Sequence, residues 1–204
     1  MTITLHQGDL GNEVKFTGSV AIDTETMGLN PNRDRLCLVQ LSSGDGNAHL
    51  VQISKGQKSA PNLKKLLEDQ NVIKIFHYAR FDVAVLKKYL NADVTPSYCT
   101  KIASKLVRTY TDRHGLKDLT RELLGVDMSK QQQSSNWGAD ELSSAQLEYA
   151  ASDVYYLHKM MDKLDQMLAT SGRTELAQKC FDFIPTRCAL DLQGWENTDI
   201  FAHS

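Results

Sequence analysis

The sequence has no apolar run of membrane-spanning length, and its N-terminus shows no basic segment followed by an apolar one. Both absences point to a cytoplasmic protein with no membrane partner. Cysteine is scarce. The four residues, Cys37, Cys99, Cys180 and Cys188, form no CxxC pair and no His/Cys cluster, which removes the common zinc and thiol-redox patterns. Cys37 and Cys99 lie in apolar or strand-like contexts and read as buried thiols. A basic excess is also missing. The formal net charge of −2 argues against a protein that tracks long nucleic acid by bulk electrostatics, and leaves open a short anionic ligand held by a few local cations. There is no internal repeat and no linker. The 204 residues therefore read as one domain, 1–204, with a core over about 18–170 and a C-terminal helix and tail over about 173–204.

What is present alternates between two periods. A peripheral strand is expected around Ile3 and Leu5. Strands follow at Ser19–Ile22, Arg35–Leu41 and Ala48–Ile53, the last two joined by the turn Gly44-Asp45-Gly46-Asn47. Their short connections predict an antiparallel meander. From Pro61 the period becomes helical: Leu63, Leu66 and Leu67 share a face. Val72–Phe76 reads as a strand, and Ala79–Leu90, Lys101 to about Tyr110 and Leu116–Leu124 as helices, the last stopped by Gly125. Met128–Trp137 is polar, glutamine-rich and loop-like. Ser143 with Gln146 forms a capping box ahead of one long helix to about Ala169. A final helix runs from Arg173 to about Arg187, interrupted by Pro185. The whole is an α/β fold, a mixed five-stranded sheet with helices on its faces.

The chemistry gathers at three places. In Val20-Ala21-Ile22-Asp23-Thr24-Glu25 a buried strand ends in two carboxylates. Residues two apart on a strand face the same way, so Asp23 and Glu25 sit side by side and Thr24 points off the other face. Such a pair is mutually repulsive unless a divalent cation resolves it, and hard oxygen ligands suit Mg²⁺ or Mn²⁺. A solvated strand end is the plainer alternative. Asp82 falls in the first turns of the helix after Val72–Phe76, where the helix dipole favours an anion. Tyr149 and Asp153 are four apart on a helix and share a face. Ala150 and Ala151 between them allow close approach.

Taken in this order, Asp23 and Glu25, then Asp82, then Tyr149 with Asp153 resemble the three motifs of the DEDD 3′–5′ exonuclease superfamily, in its tyrosine-bearing branch. The segments Asp127 to Trp137 and Gln146 to Val154 resemble the third-motif region of ribonuclease D. Two departures stand out. Ribonuclease D carries helical HRDC domains for which a chain ending at Ser204 leaves no room, and its usual Arg-Pro after the Trp is replaced here by Gly138-Ala139-Asp140-Glu141. The segments 112–117, 130–135 and 199–204 are instead similar to the nanoRNase C family of short-RNA hydrolases.

That resemblance implies a ribonuclease H-like fold. It also implies two divalent cations, Mg²⁺ or Mn²⁺, held by Asp23, Glu25, Asp82 and Asp153, with Tyr149 orienting the attacking water. It further implies an RNA dinucleotide substrate with a 5′ phosphate, and assembly into a homo-oligomeric ring, an octamer. Substrate contacts are expected from Thr24, Gly28, Leu29, His77, Lys130, Gln133, Ser134, Ser135 and Trp137. Leu29 is expected to wedge against the terminal bases, the alternative being a turn leucine folded onto the core. Lys130, Gln133, Ser134, Ser135 and Trp137 offer one charge, several donors and one stacking plane for a 5′ phosphate cap. Lys101, Lys105 and Arg108, at i, i+4 and i+7, read as one cationic helix stripe. A ribonuclease D-like trimmer of longer RNA 3′ ends, one that also takes DNA, and a catalytically dead binding module are the competing readings.

Overall fold

The computed structural model describes residues 2–129 and 131–203. Among them six strands form one mixed sheet: β1 Ile3–Gln7, β2 Gly18–Thr26, β3 Leu36–Ser42, β4 Ala48–Gln52, β5 Val72–Phe76 and β6 Ser97–Cys99, in the spatial order β1-β4-β3-β2-β5-β6. The expected meander is present, because β2 pairs antiparallel with β3 and β3 with β4. Parallel pairing then adds β5 beside β2, β6 beside β5 and β1 beside β4. The sheet thus has six strands where five are read from the sequence. The extra one, β6, pairs through only Ser97, Tyr98 and Cys99, too short a run to show a period.

Burial explains which strands are central. Val20, Ala21 and Ile22 of β2 are fully buried, and every residue of β3 is buried. Helices cover both faces, as strands of that composition require. They are α1 Pro61–Leu67, α2 Ala79–Leu90, α3 Thr100–Val107, α4 Leu116–Leu124, α5 Ser144–Tyr155, α6 Leu157–Thr170 and α7 Thr174–Leu190. A wide π-helical turn, Asp191–Trp195, follows α7 and is bent at Gly194.

Three helical expectations are corrected. The long helix after Ser143 breaks at Tyr156, whose φ of −106° and ψ of −7° leave the helical range. The break lets α5 follow β2, β3 and β4 while α6 follows α3 and α4. Pro185 does not interrupt the last helix, which continues to Leu190. Its ring removes one ladder bond, and packing of α7 along α2 and α3 holds the helix together across the gap. Finally, α3 stops at Val107 because Arg108, at ψ 59°, turns inward.

Candidate active site

β2 carries two carboxylates to the open end of the sheet. Its pairing with β5 ends at Ala21 opposite Ile75. Its register against β3 slips between Glu25 and Thr26. A bulge of this kind ends regular pairing and re-aims side chains, so Asp23 and Glu25 emerge where β5 has left the ladder. The register sets Gln40 of β3 directly opposite Asp23, and Gln40 Nε2 donates to Asp23 Oδ2 at 3.2 Å.

The third carboxylate comes from α5. Ser143 and Gln146 make the expected reciprocal cap, and Ala150 and Ala151 are fully buried, so the helix lies close to the sheet. Asp153 then meets Asp23 and Glu25, with one oxygen from each within 4.8 Å of the others. Asp82 stands outside that triplet. It is buried in the first turn of α2, where Thr24 Oγ1 donates to its Oδ1 at 2.7 Å.

The electrostatics follow from this crowding. Burial raises Asp23 to about 7, against a lowering backbone hydrogen bond at Thr24. Burial, followed by the charges of Asp23, Asp153 and Asp82, raises Glu25 to about 10. Asp82 and Asp153 are raised as well, first by burial and then by Asp23. Burial and the carboxylates Asp153, Glu25 and Asp23 push the Tyr149 phenol up. Among the described residues no Lys or Arg forms an ion pair with any of the four carboxylates. An all-oxygen set, half-buried at Asp23, Glu25 and Asp153 and buried at Asp82, without a side-chain counter-charge among the described residues, fits a hard divalent cation.

The carboxylates open into a cleft of about 690 Å³ that also takes in Thr24, Gly28, Leu29, His77, Gln133, Ser134, Ser135, Trp137 and Tyr149. Every substrate residue read from the sequence is thus on one surface except Lys130, which lies outside the described residues. Their dispositions differ. Leu29 is 88 % exposed, so it is not folded onto the core. Gly28 has no room for a side chain, since a Cβ there would stand 2.3 Å from Asp34 Oδ2. The Thr24 hydroxyl is committed to Asp82. His77 Nδ1 is 2.9 Å from Thr100 Oγ1, and burial, followed by the charge of Lys101, lowers its pKa to about 3, which makes it a neutral ring at pH 7. Trp137 is a correction. At 2 % exposure, with its ring centroid 6.1 Å from that of Tyr149, it is a packed wall and not an open stacking plane.

The cationic stripe is also corrected. Arg108 is wholly buried, donating to Ser104 Oγ at 3.0 Å and to the Arg113 carbonyl at 2.7 Å and pairing with Glu122. Lys101 lines the cleft and Lys105 does not. Lys117, read from the sequence with Arg113 and His114 as a further cationic stretch, also lines the cleft, whereas the lining residues Tyr78, Phe81 and Met128 were not read from the sequence. Gln40, also missed, had one available signal: it is the lone polar residue within the apolar run Leu36–Leu41.

Comparison with known proteins follows the same lines. A 3′–5′ exonuclease family model matches residues 7–169. DNA polymerase I of Aquifex aeolicus is 37 % identical over 149 residues, 72 % of this chain and 24 % of that protein. Ribonuclease D of Gluconacetobacter diazotrophicus is 33 % identical over 156 residues, 76 % of this chain and 39 % of that protein. The chain therefore spans about a quarter to two fifths of the length of these relatives. Solved structures of Brucella melitensis NrnC match over 100 % of both chains. The structure with bound Mg²⁺ is 58 % identical with a TM-score of 0.96, and the one bound to pGG is 60 % identical with a TM-score of 0.97.

Proposed function

The chain belongs to the 3′–5′ exonuclease family whose model covers residues 7–169, and from that premise we propose that it is a metal-dependent 3′–5′ exoribonuclease of very short RNA. It prefers 5′-phosphorylated dinucleotides and releases nucleoside 5′-monophosphates. The observation that carries this reading is the meeting of Asp23, Glu25 and Asp153 oxygens within 4.8 Å, in a cleft shared with Asp82 and Tyr149. The full-length likeness to NrnC, which has been solved with pGG, supports the choice of substrate.

Asp23, Glu25, Asp82 and Asp153 are the metal ligands in this reading, for two cations, Mg²⁺ or Mn²⁺. When bound, such ions supply a water of lowered pKa and offset the charge of the phosphoryl transition state. Thr24 fixes Asp82, and Gln40 fixes Asp23. Tyr149 lines the cleft with Asp153, and since a phenol of ordinary pKa about 10 is a poor base at pH 7, it orients the attacking water by hydrogen bonding. His77, neutral, borders the ribose and scissile phosphate. Leu29 projects into the cleft and separates the terminal bases. Gln133, Ser134 and Ser135 wall its far side and limit substrate length.

The protein also assembles as a homo-oligomeric ring, an octamer, and works in the cytoplasm. Trp195, Ile200 and Phe201 are 43, 46 and 77 % exposed, and an intermolecular groove is where such a tail is covered. No helix among the described residues is long and apolar enough to cross a membrane.

Turnover of pGG and of a 20-mer RNA, compared under identical Mg²⁺ conditions, tests the function. The dinucleotide is expected to be cleaved much faster. Equal initial rates would make ribonuclease D-like trimming of longer 3′ ends the better reading, a reading the 33 % identical relative also supports.

A further inference from the structure

Asp82 rides on the first turn of α2, and that turn starts from a strained residue. Its cap is Tyr78 at φ 76°, a left-handed conformation that costs a non-glycine residue and persists where the surroundings enforce it. Among the described residues no side chain caps this helix, so its first amides lack the usual anchor.

The turn is gripped instead through Arg80. Arg80 Nε donates to Asp191 Oδ2 at 2.6 Å and Nη2 to Asp191 Oδ1 at 2.8 Å, a bidentate fork. Asp191 opens the wide turn after α7 and is 5 % exposed. Arg187 reaches the same carboxylate, with Nη2 and Nε at 2.6 and 2.9 Å from Oδ1. One buried carboxylate thus joins two guanidiniums. Around it, Arg80 Nη2 donates to the Glu196 carbonyl at 2.7 Å, and Cys188 Sγ donates to the Arg80 carbonyl at 3.2 Å. The Asp191 carbonyl also accepts from Asn32 Nδ2 at 3.4 Å, and Asn32 lies in the turn that presents Leu29.

Arg80 and Asp82 are two apart on a helix, so their side chains leave it about 200° apart. Asp191 therefore holds the outer face of the turn. Asp82 projects from the inner face, where Thr24 Oγ1 meets its Oδ1 at 2.7 Å. The start of α2 is clamped between these two contacts.

We propose that Asp191 is a positioning residue for the cation site: through Arg80 it fixes the first turn of α2, and so the place of Asp82 relative to Asp23, Glu25 and Asp153. It touches neither substrate nor cation. This rests on the metal-dependent reading given above.

Asp191→Asn tests it. The amide keeps the shape, offers one acceptor oxygen where two guanidiniums need two, and turns an N–H towards them. Groups that orient metal ligands set affinity by a factor of about ten to a hundred. Two measurements on the substrate-free protein read the effect: Mg²⁺ binding by calorimetry, and amide hydrogen exchange along the chain. The Mg²⁺ Kd is expected to rise about tenfold. Exchange should accelerate over residues 78–86 while α5 stays protected. Arg80→Met should reproduce both effects, and the double variant should be no worse than either single one, because the route runs through one contact. Arg80→Lys keeps the charge and loses the fork. It should shift the Kd in the same direction, and it carries the test should Asp191→Asn not fold. An unchanged Kd in Asp191→Asn or Arg80→Lys would overturn the proposal. Effects that add in the double variant, or exchange that rises evenly along the chain, would do the same. Failure of the metal reading shows separately, as a wild type that binds no Mg²⁺; the exchange pattern still decides whether Asp191 fixes α2.

Discussion

Replacing Asp153 by Asn tests the cation site through stability, without reliance on turnover. Three carboxylate oxygens lie within 4.8 Å of one another, and no lysine or arginine among the described residues offsets them. Two unit charges at 4.8 Å repel by about 3.5 kcal/mol at an effective dielectric of ~20. Partial protonation of the cluster lowers that figure, and removing one carboxylate should relieve roughly 1–3 kcal/mol in the metal-free protein. For a chain of this length, each kcal/mol moves Tm by about 2–4 °C. In EDTA, Asp153→Asn should therefore melt about 2–12 °C above wild type. Mg²⁺ should close or reverse the gap. At a hundred times its Kd a cation stabilises the native state by about 2.7 kcal/mol, an increment of roughly 5–11 °C in wild type that the variant should lack. Differential scanning fluorimetry in EDTA and across a Mg²⁺ titration reads both effects. A variant that melts below wild type in EDTA and keeps the full Mg²⁺ increment would show that the carboxylates are held by protein contacts and form no cation site.

Activity should vanish in EDTA and return with Mg²⁺ or Mn²⁺ but not with Ca²⁺, whose larger and more flexible coordination suits the reaction poorly; release of mononucleotides from labelled RNA after metal replacement is the readout. Tyr149→Phe should lower kcat about 10²-fold or more with little change in KM for the dinucleotide, because the phenol positions water and not substrate. Arg108→Met should cost about 1–3 kcal/mol by leaving the Ser104 hydroxyl and the Arg113 carbonyl short of a donor. Glu122→Gln should cost less than about 1 kcal/mol, because that carboxylate is 42 % exposed and water replaces the partner; urea denaturation of both variants separates them. Light scattering at micromolar concentration should give the mass of a ring and not of a 22.8 kDa monomer.

The carboxylate site was readable because each part is encoded locally. Asp23 and Glu25 share a face by strand period, Asp82 falls in a helix start, and Tyr149 and Asp153 share a face by helix period. What brings the parts together is the packing of α2 and α5 against the sheet, with β2, α2 and α5 each ending or beginning where the sequence changes period. The features that escaped are set by partners far along the chain. Arg108 continues the spacing of Lys101 and Lys105, but its burial depends on Glu122, fourteen positions on, and on the carbonyl of Arg113. Gln40 meets Asp23 only through the register of two strands. β6 has three residues and no period of its own. The break at Tyr156 carries no glycine or proline, and its cause is the change of packing surface from sheet to helices.

The segment after Trp137 shows how a departure in sequence is absorbed by backbone. Where the resemblance to ribonuclease D leads to the expectation of Arg-Pro, this chain has Gly138-Ala139-Asp140-Glu141. Its anchors are main-chain carbonyls. Arg35 Nη2 donates to the Gly138 carbonyl at 3.1 Å, and Gln52 Nε2 donates to those of Ala139 and Asp140 at 3.0 and 3.2 Å. A Cβ on Gly138 would stand 2.4 Å from Met27 Sδ, so a larger residue there would require the Met27 side chain to move aside. Met27 continues directly from the Asp23–Glu25 strand, and Arg35 precedes β3. The loop is thereby tied at one end to Arg35, just ahead of β3, and to Gln52 of β4. At its other end Ser143 begins α5, which carries Tyr149 and Asp153. A displacement of either tie would move the cleft wall formed by Gln133, Ser134 and Ser135 relative to the carboxylates. In the proposed reading, this connection links the wall that limits substrate length to the helix that carries Tyr149 and Asp153.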